Sequence, residues 1–96
     1  LTSPSDGVPH LAVAVERVER QEGGHHIAFR AINSGSAAAA AVHVEGRLSA
    51  GVETVEISTV TLDYVPSQSE HRGGLLFQQD PKSLDLKVVV TGYQEP

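Results

Sequence analysis

The stretch AAAAAVHVEGRLS, Ala37–Ser49, decides between two kinds of fold. Consecutive alanines carry the highest helix propensity of any residue type. The continuation opposes them, because Val42, Val44, Gly46 and Leu48 alternate with His43, Glu45, Arg47 and Ser49. Strict alternation gathers one set on a single face of a strand, whereas a helix would scatter it around the circumference. The segment therefore reads as a strand from about Ala40 to Ser49, with a helical turn at the alanines as the competing reading.

On the C-terminal side, Ala50-Gly51 occupies the position of a tight hairpin turn. Pairing Ser49 with Val52 sets Val44 opposite Ile57 and Gly46 opposite Val55, so both strands keep apolar residues on one face. The same register sets Glu45 opposite Glu56 on the outer face, an unfavourable like-charge pair. Beyond Ile57 the parity changes, since Val60, Leu62 and Tyr64 stand at even positions. A bulge or bend near Ser58-Thr59 is expected, of the kind that lets a chain leave one sheet for another. Pro66 to Gly74 reads as a polar loop, Leu75 to Gln78 as a short strand, and Asp80-Pro81 as a turn. Leu84, Leu86, Val88 and Val90 alternate with Asp85, Lys87, Val89 and Thr91, giving a last strand that ends near Gly92.

On the N-terminal side, Ile27, Phe29 and Ala31 alternate with His26, Ala28 and Arg30, and Asn33-Ser34-Gly35-Ser36 stops that strand. Leu11, Val13 and Val15 mark an earlier strand over His10 to Val18, closed by a polar turn ending in Gly23-Gly24. Leu1 to Pro9, rich in Ser, Pro, Gly and Asp, reads as a flexible lead-in. The count is about seven short strands with regular turn signals, which predicts an all-β, immunoglobulin-like β-sandwich over residues 10–96.

The 96 residues suffice for one domain and one core. With two Phe, two Tyr and no Trp, that core must be built mainly from Val, Leu, Ile and Ala. The net charge of −5 and the scattered positions of Arg17, Arg20, Arg30, Arg47, Arg72, Lys82 and Lys87 argue against nucleic acid as a partner. An acidic surface likewise disfavours adsorption to anionic lipid heads. The absence of cysteine removes disulfides, thiolate metal sites and thiol nucleophiles. No apolar run reaches the length of a membrane span. The chain starts at Leu1 and contains no Met, which leads us to expect a processed chain or excised segment with any targeting or membrane segment upstream.

Candidate chemistry is sparse. His10, His25, His26, His43 and His71 lack ligand spacing, and the adjacent His25 and His26 point to opposite faces of a strand. No metal and no cofactor is therefore expected. Glu45 and Glu56 on a solvated face lack the cleft that tunes catalytic carboxylates. Ser34 has no nucleophile elbow around it. Gly23-Gly24 and Gly73-Gly74 lack the basic residue and helix start of a phosphate loop, and His71-Arg72-Gly73-Gly74 reads as a mobile loop, with an anion site as the competing reading. Two segments are denser: Leu62-Asp63-Tyr64-Val65-Pro66, and Gly74 to Pro81 with its run Leu75-Leu76-Phe77. At least one of those three apolar residues must face away from the interior of a strand. Asp63, Tyr64, Leu76, Phe77 and, near the C-terminus, Tyr93 form the candidate interaction surface, with packing in the core or under loops as the alternative for each.

The Leu-Asp-Tyr-Val-Pro stretch from Leu62 to Pro66, the Gly-Gly-Leu-Leu-Phe and Asp-Pro segment from Gly73 to Pro81, and the closing Val-Thr-Gly-Tyr-Gln-Glu-Pro from Val90 resemble an uncharacterised family of small bacterial proteins. That resemblance implies an N-terminal membrane helix, absent from this chain, followed by a soluble domain, usually encoded beside a multi-span membrane protein. It implies no activity and no site residues. At fold level the chain also resembles bacterial Ig-like cell-surface modules. The expectation is a non-enzymatic protein-interaction module, membrane-anchored, with its soluble domain periplasmic or on the cell surface. The nearby multi-span protein is its expected partner. Two alternatives stand beside it. One is a carbohydrate- or cell-wall-binding module using Phe29, Tyr64, Phe77 or Tyr93; the other is a metal-binding protein or metalloenzyme built on the histidines.

Overall fold

A computed structural model describes residues 7–96. Six strands follow one another: β1 (Leu11–Gln21), β2 (Gly24–Asn33), β3 (Ala39–Ala50), β4 (Glu53–Val65), β5 (Ser69–Phe77) and β6 (Asp85–Gln94). A 3-10 turn over Pro81–Ser83 precedes β6. The strands form two antiparallel three-stranded sheets, ordered β1-β2-β5 and β4-β3-β6. The two sheets pack face to face as a β-sandwich, closed more extensively along the β4–β5 side than along the β1–β6 side.

The alanine run does not form a helix. Ala39 and Ala40 already pair with Val65 and Tyr64, and the alternation downstream of them places Val42, Val44, Gly46 and Leu48 inside. Ala41 takes a positive φ of 47°, and there both strands reverse parity together. Ala39 and Val42 on β3, and Val65 and Leu62 on β4, are all buried although each pair is three residues apart.

The hairpin register differs from the expected one. Ala50 pairs with Glu53 around a two-residue turn, Gly51-Val52, and Val44 faces Val60 rather than Ile57. Gly51 has φ +62° at the first turn position, the requirement of a primed hairpin turn whose twist matches the strands. A bulge at Val55, between the pairs Ser49–Thr54 and Leu48–Glu56, then resets parity. Val55 and Ile57 consequently face solvent instead of the core. Nothing bends at Ser58-Thr59: β4 runs unbroken to Val65, so two expected strands are one and the total is six, not seven.

Residues 66–74 are likewise mostly strand, not loop. Gly73 and Gly74 lie within β5, paired with Phe29 and Ala28 of β2. Their lack of side chains is used by packing. A Cβ on Gly73 would lie 2.7 Å from the Phe29 ring, and the His26 ring covers Gly74 on the opposite face. Across the core, a Cβ on Gly46 would lie 2.9 Å from the Phe77 ring. The two Phe rings therefore each rest against a glycine, and Ile27, Leu48, Leu62, Val65 and Leu75 fill the space around them. In β1 an extra residue at Glu16 shifts the register after Val15, which is left partly exposed at the sheet edge.

Candidate functional site

The outer face of the first sheet is ionic. Arg30 lies between Glu16 (Nε to Oε2 3.2 Å) and Glu70 (Nη1 to Oε2 2.8 Å), and Arg72 approaches Glu16 at 3.5 Å. The Arg30 Nε is buried, and its N–H is poorly aligned with the Glu16 oxygen. Exposed pairs of this kind add little stability, about 0–1 kcal/mol each. They do occupy basic groups that would otherwise be free for an anionic partner.

The outer face of the second sheet is different. Its central strand β3 is polar and internally paired. Arg47 donates to Glu45 at 3.0 Å, and the His43 ring shares a 2.8 Å hydrogen bond with Thr61. The flanking strands add apolar side chains among polar neighbours, Thr59 and Thr61 on β4 and Lys87 and Thr91 on β6. Ile57 of β4 stands in one row with Arg47 and Lys87, and Val89 of β6 in the next row with Glu45 and Thr59. Ile57 is 48% exposed and Val89 40%. A groove of about 250 Å³, lined by Leu11, Val90, Thr91, Gly92 and Tyr93, opens where β6 meets β1.

Loops at the two ends hold this platform in place. At the end where β2 passes to β3, Asn33 is 1% exposed and its side chain makes four hydrogen bonds. Its amide donates to the carbonyls of Ala37 (2.8 Å) and Val65 (3.2 Å), and its oxygen accepts from the amides of His10 (3.1 Å) and Gly35 (2.9 Å). Val8 and His10 are tied to Ser36 and Ser34 by backbone bonds. Residues 1–6 of the expected lead-in lie outside the described residues. Ser67 and Gln68 donate to carbonyls of Gly35 and Ser34, binding the β4–β5 turn to the same place.

At the opposite end Glu56, opposite Leu48 rather than Glu45, accepts from the amides of Gln78 (2.8 Å) and Gln79 (2.9 Å). It is a loop anchor, not half of an outer-face carboxylate pair. Asp80 caps the 3-10 turn by accepting from the Lys82 amide at 2.9 Å. That hydrogen bond, aided by nearby His25, holds the Asp80 carboxyl below its ordinary value.

The five residues singled out from sequence do not come together. Phe77 is wholly buried, a core residue and not part of any surface. Leu76 is 50% exposed on the outer face of the first sheet, beside His26 at the Glu56 end. Asp63, Tyr64 and Tyr93 are exposed at the Asn33 end of the second sheet, where Tyr64 and Gln94 flank Ala40 in one row. Alternation in the sequence places Val55 and Ile57 on the inner face and does not distinguish Val89, whereas all three are exposed. Among the described residues no three His, Asp or Glu side chains converge on a point. Comparison of the chain with protein-family models, curated proteins and solved structures yields no match.

Proposed function

We propose that this chain is a non-catalytic protein-interaction module with an immunoglobulin-like sandwich. In this reading it forms the extracytoplasmic part of a membrane-tethered bacterial protein and docks onto a multi-span membrane protein encoded nearby. The observation that carries the interaction reading is the one-sided distribution of exposed apolar side chains. Of nine large ones left exposed among the described residues, six (Val52, Val55, Ile57, Tyr64, Val89 and Tyr93) belong to β4, β6 and the turn before β4. The opposite face is taken up by the Glu16–Arg30–Glu70 ion pairs. A surface that mixes exposed apolar side chains with internally paired polar ones suits a protein partner better than an anionic polymer.

The immunoglobulin-like assignment is supported by strand order. Such sandwiches place strands A, B and E in one sheet, and C, F and G, with C′ beside C, in the other. Reading β1 to β6 as A, B, C, C′, E and F reproduces both observed orders. The tether and the partner rest on the resemblance carried by Leu62–Pro66, Gly73–Pro81 and Val90–Pro96. Co-purification of the full-length protein with the neighbouring membrane protein tests the reading. Wild type is expected to retain the partner and Ile57→Asp to lose it while staying folded. Absence of association in wild type would reject the partner.

A further inference from the structure

We propose that the cleft where the β1–β2 hairpin meets the 3-10 turn binds a small oxyanion, the phosphate or carboxylate group of a small solute. The inference does not rest on docking to a membrane protein, because the cleft lies at the Glu56 end of the sandwich and not on the outer face of the second sheet.

The cleft forms where apolar alternation stops. Val18 pairs with Ile27, and both turn inward: Ile27 is buried and Val18 packs against the core. Two residues further along each strand, the same side carries Arg20 opposite His25. Polar groups thus continue the inward row past the end of the core, facing Asp80 and Lys82 of the turn. Val18, Arg20, His25, Asp80 and Lys82 line a space of about 170 Å³, more enclosed than the groove beside Tyr93. Sites for drug-sized ligands run to roughly 300–1,000 Å³. This smaller space suits one charged group on a short body.

Charge selects the sign of that group. Arg17, Arg30, Arg47 and Arg72 each have a carboxylate oxygen within 3.5 Å. Among the described residues Arg20 and Lys82 have no ion-pair partner, and both line this cleft. The carboxylate beside them, Asp80, is already engaged. It accepts from the Lys82 amide at 2.9 Å, and its oxygen lies 3.9 Å from Nδ1 of His25. Two unpaired cations against one engaged carboxylate leave a locally positive place on a chain of net charge −5. His25, its side chain 17% exposed, adds an imidazole N–H, a donor in either tautomer. The walls are set before any ligand arrives. Glu56 holds the amides of Gln78 and Gln79, and the Ser83 amide donates to the Asp80 carbonyl at 3.2 Å. Little ordering cost is left for binding.

The test is titration of the purified, nitrogen-15-labelled chain with sodium phosphate and, separately, sodium acetate, at ionic strength held constant with sodium chloride. At least one of the two is expected to move the amide signals of Arg20, His25 and Lys82 along a saturating curve, and the tighter one names the class. Arg20→Gln and Lys82→Gln, at exposed positions, are expected to stay folded and each to weaken that binding about tenfold. Lys87→Gln, an exposed lysine outside the cleft, should leave it unchanged. Failure to saturate with either anion, saturation centred on other residues, or weakening by Lys87→Gln equal to that by the two cleft variants would overturn the proposal.

Discussion

Asn33 shows how one side chain can hold an end of a sandwich. Its four polar contacts join the start of β1, the β2–β3 loop and the end of β4; those to Val65 and Gly35 are buried and those to His10 and Ala37 half-buried. Asn33→Leu would keep the volume and strand four backbone groups. Two of these groups are buried, and each buried unsatisfied group costs roughly 1–3 kcal/mol, so a stability loss of about 2–6 kcal/mol is expected in urea unfolding. In sequence Asn33 looks like a strand-stopping turn residue. Its burial was not legible, because the partners His10 and Val65 lie 23 and 32 positions away. Gly46 makes the complementary point about the core. Gly46→Ala would push a methyl into the Phe77 ring and Leu75, and a loss of about 1–3 kcal/mol is expected by the same measurement. Asp80 gives a pH signature. With its folded-state value held below the ordinary 3.8, its contribution is fully present above that pH and is lost as pH falls through the folded midpoint. Carboxyl titration by NMR should place the Asp80 midpoint under 3.8, and a midpoint at or above it would contradict the capping role.

At the scale of elements, alternation was read correctly wherever a strand has one wet and one dry face. β2 keeps Ile27, Phe29 and Ala31 inside, and β3 keeps Val42, Val44 and Leu48. It misled where backbone irregularity intervenes. The bulge at Val55 reverses which residues of β4 face the core; the parity change at Val60 and Leu62 marks it in the sequence but places it too late, at Ser58-Thr59. A second signal existed: the expected register forced Glu45 against Glu56, and the observed register separates them. The two glycines of β5 were misread for a different reason. Paired glycines signal a loop by propensity, yet here they admit the Phe29 and His26 rings, a demand set by a neighbouring strand. Ala41 offers a direct test at this scale. An L-residue in the left-handed region costs about 1–2 kcal/mol, and glycine returns part of that as chain entropy. Ala41→Gly is therefore expected to stabilise the domain by about 0.5–1 kcal/mol in thermal or urea unfolding. Destabilisation would mean that the coupled kink of β3 and β4 depends on the alanine methyl.

For the whole molecule, the all-β sandwich was legible from strand patterning, while the pairing of strands into sheets was not. Sheet order depends on contacts between distant segments, such as β2 with β5 and β3 with β6, that periodicity does not encode. The asymmetry between an ionic face and a face with more exposed apolar side chains emerges only once the sheets are assembled, since Ile57 and Val89 come from different strands. That asymmetry is the basis of the proposed docking, and the proposal is tested most directly by cross-linking in cells. If the proposed partner is a multi-span membrane protein encoded nearby, a photo-crosslinking residue placed at Ile57 should couple to it, and one placed at Arg72 on the ionic face should not. Coupling from Arg72 alone, or from neither position, would contradict docking through the second sheet.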